Sequence, residues 1–224
     1  MLGLPPGVTA CLFDLDGVLT DTASVHQAAW KQVFEDETGH PFTPQDYEEH
    51  VDGKPREDGV RDYLASLGPT PDEATVTRVA DRKNDLVQER IAKDGVTVFE
   101  GSRRYLEACR DAGVRRAVVS SSANTELVLK VTGLAPLVEE RVDGVTAKEQ
   151  HLKGKPAPDT FLAGAAALGL EAKDCAVFED ALAGVEAGRA GSFGHVIGVD
   201  RVGHADALRQ HGADVVVQDL AELL

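Results

Sequence analysis

The strongest constraint on the fold is the regular spacing of short apolar runs along the chain. Segments with helical periodicity separate these runs, which lie at residues 10–13, 116–120, 175–178, 196–199 and 215–217. Strands that alternate with helices in this way are typical of a parallel sheet covered by helices. The sequence therefore predicts an α/β protein with a buried parallel sheet.

The alternation is interrupted after the first run. Residues 22–93 contain three helical patterns and no convincing strand, so we expect a helical cap domain inserted into a core made of residues 1–21 and 94–224. The second cap helix is expected to begin at Pro55 and to end before Gly68. The first two helices are marked by the apolar stripes Val25, Ala29, Val33, Phe34 and Val60, Tyr63, Leu64, Leu67.

The third cap helix carries a lysine on its apolar face. Lys83 falls at the middle of that face, which consists of Val76, Val79, Ala80, Val87 and Ile91. A lysine in this position either meets an anion or extends its stem along the helix to reach water. The first alternative indicates a binding role for the cap.

Two carboxylates follow the first apolar run and lead into a glycine turn. Asp14 and Asp16 are two residues apart, so both side chains point the same way at the carboxyl end of the strand. This is where open α/β sheets place their ligands, and two adjacent anions there need a cation or a shared proton. An acidic surface turn and a calcium loop are the alternatives, but an EF-hand needs more oxygen ligands. The motif favours phosphoryl transfer.

Two later segments could neutralise a phosphate. The run from Ser120 to Asn124 ends a strand and begins a helix, where hydroxyls, backbone N–H groups and the helix dipole converge on an anion. Simple N-capping by Ser or Asn explains the same residues. Lys155 precedes a rigid Pro-x-Pro segment, and an ordinary surface lysine is the alternative there.

Glu179 and Asp180 repeat the opening pattern of an apolar strand that ends in acids. Strand ends in one parallel sheet share an edge, so these carboxylates can reach Asp14 and Asp16. Carboxylate oxygens, waters and a phosphate oxygen together suit octahedral Mg²⁺. Acidic residues at a helix N-terminus are also ordinary partners of the helix dipole.

The ordered combination resembles the four motifs of the haloacid dehalogenase superfamily, over essentially the whole chain and with a cap after the first motif. The resemblance implies a Rossmann-like core. It also implies that Asp14 forms an aspartyl phosphate, that Asp16 is the general acid and base, and that Ser120 and Lys155 bind the transferring phosphoryl group. The implied Mg²⁺ ligands are the Asp14 carboxylate, the Asp16 carbonyl and Asp180, with Glu179 beside them.

Within that superfamily the cap resembles the β-phosphoglucomutase-like branch. The resemblance rests on the segment from Asp16 to Trp30, on the loop that contains Gly53 and Arg56, and on the helix that contains Lys83. It implies that Thr22 is a hinge, that His26 couples substrate binding to Asp16, and that Arg56 grips the distal phosphate. The remaining substrate-binding residues implied are Gly53, Lys83, Asn84, Ser121, Ser122 and Asn124.

At two positions the residue differs from the usual pattern of that branch. Asp52 stands where the mutases usually have a lysine before the glycine of the loop, and Ser121 stands where they often have alanine. The implied reaction is conversion of β-glucose 1-phosphate to glucose 6-phosphate through the 1,6-bisphosphate. A sugar-phosphate phosphatase is the main alternative. A Schiff-base phosphonatase that uses Lys83 and a silent sugar-phosphate sensor are the others.

The charge balance restricts the partners. The 38 acidic residues against 23 Lys and Arg give a net charge of −15, which disfavours nucleic acid and anionic membranes. The sequence begins without a signal-peptide pattern, so we expect a cytoplasmic protein. Its three cysteines have no CxxC spacing, so we expect buried, reduced thiols. We also expect a monomer.

Overall fold

A computed structural model describes residues 2–51 and 56–224, apart from the side chain of Glu48. The chain forms two compact units. The core unit comprises Met1–Thr22 and Val96–Leu224, and the cap unit comprises Ala23–Gly95.

The core unit contains a parallel sheet, which confirms the predicted α/β class. In the described part of the chain it has six strands in the order β5-β4-β1-β6-β7-β8. Their bounds are β1 Ala10–Phe13, β4 Arg115–Val119, β5 Glu140–Val142, β6 Cys175–Glu179, β7 His195–Val199 and β8 Val215–Val217. Phe13 at the end of β1 lies opposite Val118 of β4 and Phe178 of β6. The carboxyl ends of these three central strands therefore meet at one edge.

Helices cover both faces of the sheet because side chains of each strand alternate in direction. On one face Phe161 and Ala165 pack against Leu12 and Val177. On the other face the rings of Phe13 and Phe178 stack with their centroids 4.6 Å apart. The core helices are α5 Glu100–Asp111, α6 Thr125–Val131, α7 Gly144–Glu149, α8 Asp159–Ala167, α9 Leu182–Ala190 and α10 Ala205–Gln210.

Three short strands were not predicted. β5 lies at the edge of the sheet, and its three residues Glu-Arg-Val include only one buried side chain, so they form no apolar run. β2 (Thr20–Asp21) and β3 (Thr97–Val98) form an antiparallel pair of two residues each. Segments this short carry no readable periodicity.

The described part of the cap unit contains four helices where three were predicted. They are α1 Ala23–Thr38, α2 Pro44–His50, α3 Arg56–Leu67 and α4 Glu73–Asp94. The additional helix, α2, has only seven residues, but it begins with a capping box between Thr43 and Asp46. Pro55, the predicted start of α3, lies outside the described residues.

The predicted apolar faces form most of the cap core. Phe34 packs against Phe42 and Tyr63, with ring centroids 5.0 and 4.3 Å away. Leu67 was assigned to this face but is 46% exposed, because α3 ends there and Gly68 follows. Within the described residues, no helix combines the length and apolarity needed to cross a membrane. The three cysteines are buried and unpaired, as predicted.

Candidate active site

A largely shielded lysine, with 10% of its side chain exposed, bridges two carboxylates that come from different strands. Asp14 directly follows β1, and its backbone N–H donates to Phe178 O at 2.9 Å. The ammonium group of Lys155 lies 2.5 Å from Asp14 Oδ1 and 2.5 Å from Glu179 Oε1. It also donates to Val119 O at 3.3 Å, so its three hydrogens reach all three central strands. The alternative interpretation of Lys155 as an ordinary surface lysine is therefore wrong.

Burial and mutual charge shift the pKa values of this cluster. Burial raises the pKa of Asp14 to about 7, with further increases from Glu179 and Asp16 that the charge of Lys155 partly opposes. Burial alone would lower the pKa of Lys155, but the carboxylates of Asp14 and Glu179 outweigh it and raise the pKa above its usual range. The lysine therefore stays charged beside a carboxylate that titrates near neutrality.

Glu179 is fixed through both carboxylate oxygens. Oε1 accepts from Lys155, and Oε2 accepts from the backbone N–H of Ala181 at 2.9 Å. The start of α9 also approaches this side chain closely: a Cβ on Gly184 would lie 1.8 Å from Glu179 Oε1. Both oxygens have protein partners, so Glu179 positions Lys155.

The turn after β1 contacts Asp180. Gly17 adopts φ +84°, a region that favours glycine. A Cβ at Gly17 would lie 1.9 Å from Asp180 Oδ2, so the Asp180 carboxylate rests on the backbone of this turn. Burial raises the pKa of Asp180 to about 9, and the charges of Glu179 and Asp14 add to the shift. The turns that follow β1 and β6 thus bring acidic groups together, as predicted from the shared sheet edge.

Thr22 contacts the second aspartate of the first motif. The Thr22 hydroxyl donates a hydrogen bond to Asp16 Oδ1, and Thr22 is buried. Between Asp16 and Thr22 the chain makes a turn, which is closed by a hydrogen bond from the backbone N–H of Gly17 to Thr20 O at 2.8 Å. Thr22 therefore helps to orient the Asp16 carboxylate.

The segment after β4 forms a compact hydroxyl-lined turn. Ser120 is buried, and its hydroxyl accepts from Ser122 N at 3.1 Å, while the hydroxyl of Ser122 accepts from Asn124 N at 3.1 Å. Asn124 precedes α6 and makes no side-chain capping bond. Ser121 is exposed. The two serine hydroxyls therefore bind backbone N–H groups within the turn, and α6 begins without the predicted side-chain N-cap.

In the cap unit, Lys83 lies on the buried face of α4, and this confirms the predicted pattern. Its ammonium group is 2.9 Å from His26 Nδ1 and 4.7 Å from the centre of the Trp30 ring. Burial lowers the pKa of His26 to about 3, and the charge of Lys83 contributes. Because the ammonium group can only donate, the neutral imidazole accepts through Nδ1.

The other predicted cap residues differ in what surrounds them. Arg56, at the start of α3, has Nη2 at 3.8 Å from Asp81 Oδ1, while its buried Nε has no hydrogen-bond partner among the described residues. Asn84 is half-buried on α4. Gly53 lies outside the described residues, as does Asp52.

The side chains that surround Asp14 offer few ligands for a metal. Over the ranges 2–51 and 56–224, no group of three or more His, Cys, Asp or Glu side chains is arranged to hold an ion. The expected set contains only two side chains, Asp14 and Asp180, together with the backbone carbonyl of Asp16. Burial raises the pKa values of both carboxylates, and the charges of neighbouring carboxylates add to the shift.

One contact to this site was not predicted. Arg201 donates through Nε to Gly17 O at 2.8 Å, although the two residues are 184 positions apart. The arginine follows β7 with no motif around it, so only the tertiary structure reveals the contact.

Comparisons with known proteins agree with this geometry. A family model described as haloacid dehalogenase-like hydrolase matches residues 8–192. A β-phosphoglucomutase of Mycobacterium tuberculosis is 54% identical, over 100% of this chain and 94% of the relative. Hexitol phosphatase A of Escherichia coli is 33% identical, over 95% and 91% of the two chains. The solved structure of a β-phosphoglucomutase from Clostridium difficile matches with a TM-score of 0.81 at 26% identity, over 97% and 93% of the two chains. The chain therefore belongs to the haloacid dehalogenase-like hydrolase family and is an enzyme, as its motifs indicated.

Proposed function

We propose that this enzyme is a Mg²⁺-dependent β-phosphoglucomutase. It converts β-glucose 1-phosphate to glucose 6-phosphate through the 1,6-bisphosphate, and it carries the phosphoryl group on Asp14. The observation that carries the proposal is the ammonium group of Lys155, which lies 2.5 Å from both Asp14 and Glu179. Full-length similarity to a β-phosphoglucomutase supports the choice of substrate.

The first half-reaction uses the two aspartates of the first motif. The Asp14 carboxylate attacks phosphorus, a bond forms between its oxygen and phosphorus, and the bond from phosphorus to the sugar oxygen breaks. Asp16 donates a proton to the departing sugar oxygen. In the second half-reaction a sugar hydroxyl attacks the aspartyl phosphate and gives its proton to Asp16, while Asp14 leaves as a carboxylate.

Cations are needed because the nucleophile and the phosphoryl group are both anionic. Lys155 lies beside Asp14, so its ammonium group can stabilise the negative charge that develops on the phosphoryl oxygens during transfer. The Asp14 carboxylate, the Asp16 carbonyl and Asp180 would hold Mg²⁺, which neutralises phosphoryl oxygens when it is bound. Glu179 keeps Lys155 in place.

The turn after β4 supplies neutral donors for the phosphoryl group. We assign this role to the Ser120 hydroxyl and to the Ser121, Ser122 and Asn124 groups at the start of α6. Hydroxyl and backbone donors of this kind bind anions at helix N-termini.

The cap unit recognises the rest of the substrate. Within the described ranges the buried Nε of Arg56 has no hydrogen-bond partner, and its ion pair with Asp81 is loose, so the guanidinium group can exchange partners for a phosphate. Lys83, His26 and Asn84 bind sugar or phosphoryl oxygens, and Thr22 orients Asp16. Gly53 belongs to the same binding loop in this proposal.

A product assay tests the reaction. Purified enzyme is incubated with Mg²⁺, β-glucose 1-phosphate and a catalytic amount of glucose 1,6-bisphosphate, and glucose 6-phosphate is measured with a coupled dehydrogenase. We expect glucose 6-phosphate to form, EDTA to stop the reaction and added Mg²⁺ to restore it. Release of inorganic phosphate without glucose 6-phosphate would contradict the proposal.

A sugar-phosphate phosphatase is the second candidate, favoured by the similarity to hexitol phosphatase A. In this reaction Asp16 activates water, and water replaces the sugar hydroxyl as the attacking group. The ratio of glucose 6-phosphate to inorganic phosphate in the same assay separates the two functions.

A further inference from the structure

The loop between β7 and α10 contacts both turns that carry the predicted cation ligands. We call residues 200–204 the brace loop, and we propose that it sets the spacing between the first motif and Asp180. In this role Arg201 and His204 are positioning residues for Mg²⁺ binding. The inference deepens the proposed function and rests on it for the identity of the metal ligands.

The brace loop is itself held firmly. Asp200 Oδ1 accepts from the backbone N–H groups of Gly203 at 2.7 Å and His204 at 2.8 Å, while Oδ2 accepts from Ala205 at 3.1 Å. The N–H of Asp200 donates to Val217 O of β8 at 2.8 Å. A carboxylate that collects several N–H donors fixes the loop, so contacts from its side chains can hold other segments in place.

Arg201 holds the turn of the first motif. Besides the Nε bond to Gly17 O, Nη2 lies 3.4 Å from Val18 O, and Nη1 donates to Gln218 O at 2.8 Å. The guanidinium group also stacks on Phe99, 3.7 Å from the ring centre. The planar fork of arginine makes these contacts together, which a lysine cannot do.

His204 holds the other turn. Its Nε2 lies 3.1 Å from the backbone carbonyl oxygen of Asp180. Because a carbonyl oxygen only accepts, Nε2 carries the hydrogen in this contact. His204 thus fixes the backbone from which the Asp180 carboxylate projects.

The two held turns touch each other, since the Asp180 carboxylate packs against Gly17. Each turn is secured by a different side chain of the same loop. A shift of the loop would therefore move the Asp16 carbonyl relative to Asp180, and these are two of the three predicted ligands. Groups that orient metal ligands typically affect affinity by about 10- to 100-fold.

Mg²⁺ titration of the full-length protein by calorimetry tests the inference. We expect Arg201→Lys and His204→Leu to raise the Kd for Mg²⁺ by about 10- to 100-fold. His204→Gln keeps an N–H donor and is expected to stay close to the wild-type Kd. Arg209→Lys is the matched control, because Arg209 forms an exposed pair with Asp206 on α10.

Thermal unfolding without metal separates positioning from folding. If Arg201→Lys fails to fold, the difference in Kd for Mg²⁺ between His204→Leu and His204→Gln still tests the inference. Folded Arg201→Lys and His204→Leu proteins with wild-type Kd values would overturn the inference, and so would equal losses in His204→Leu and His204→Gln. A wild-type protein that binds Mg²⁺ but does not turn over β-glucose 1-phosphate contradicts the proposed function alone. A wild-type protein that binds no Mg²⁺ overturns both.

Discussion

Lys155 Nζ and Asp14 Oδ1 lie 2.5 Å apart, although 141 residues separate the two in sequence. The contact joins the residue after β1 to the loop before α8, and each of the two side chains is only 10% exposed. A salt bridge in such surroundings contributes more to chemistry than to net stability, because desolvation offsets much of the attraction. In the proposed mechanism, this contact keeps a cation beside the carboxylate that is phosphorylated.

Asp14→Asn should abolish phosphoryl transfer. The amide is a poor nucleophile, so we expect turnover to fall by at least about 10³-fold. The metal-free unfolding temperature should stay near the wild-type value, because the change removes one of several crowded carboxylates. Coupled kinetics and calorimetry measure the two effects, with the exposed Asp206→Asn as a control. Turnover of Asp14→Asn near the wild-type rate would disprove the nucleophile assignment.

Lys155→Met should reduce both activity and stability. The change leaves Asp14 and Glu179 buried without their shared cation, which typically costs about 3–5 kcal/mol of unfolding free energy. Urea denaturation measures this loss, and turnover should fall as well. Lys173→Met is the control, since Lys173 forms an exposed pair with Glu171 and should unfold like the wild type. Equal stability of both variants would contradict the bridging role.

Gly17→Ala should weaken Mg²⁺ binding beyond the effect of backbone strain. Its Cβ would meet Asp180 Oδ2 at 1.9 Å, and its φ of +84° also disfavours alanine. Gly7→Ala provides a matched control, because Gly7 has φ +95° and nothing within 4 Å of an added Cβ. We expect both variants to lose stability, and only Gly17→Ala to lose Mg²⁺ affinity in calorimetric titration. Equal affinity in the two variants would refute the predicted contact.

The buried His26 should make the protein less stable in mild acid. Its folded pKa of about 3 lies below the ordinary 6.5, so the unfolded chain binds more protons between these values and stability falls as pH decreases below 6.5. Between pH 6.5 and 5 we expect His26→Gln to lose roughly 1.6 kcal/mol less unfolding free energy than the wild type. Urea denaturation at each pH measures it, with the exposed His40→Gln as control. Parallel pH profiles for His26→Gln and wild type would rule out a buried neutral imidazole.

Arg56→Ala should impair turnover of sugar phosphates more than phosphorylation by a small donor such as acetyl phosphate. Only the sugar bisphosphate carries a second phosphate for the guanidinium group to bind, so a loss of about 1.5–3 kcal/mol in kcat/KM is expected for that substrate. Arg61→Ala is the matched control on the same helix, where Arg61 pairs with Asp58 and Glu73. Equal losses for both donors in Arg56→Ala would contradict the assigned role.

The sequence by itself determined the sheet and the identity of the motif residues. Apolar runs mark buried parallel strands strongly, and acids at the ends of β1 and β6 must share an edge once the sheet is parallel. The pattern on α4 likewise placed Lys83 on the apolar face, but it predicted an anion or a path to water for the ammonium group and not the contacts with His26 and Trp30. Short elements such as β5 and α2 were missed. The three residues of β5 and the seven residues of α2 are too few for a hydrophobic period to appear.

Only the tertiary structure decided which groups contact each other. That Lys155 bridges Asp14 and Glu179, that Asp180 rests on Gly17 and that Arg201 holds the same turn are contacts over long sequence distances. Local propensity determines where strands and helices begin and end, whereas these contacts depend on how distant segments pack. The sequence thus specified the chemical groups, and packing determined their distances and shifted pKa values.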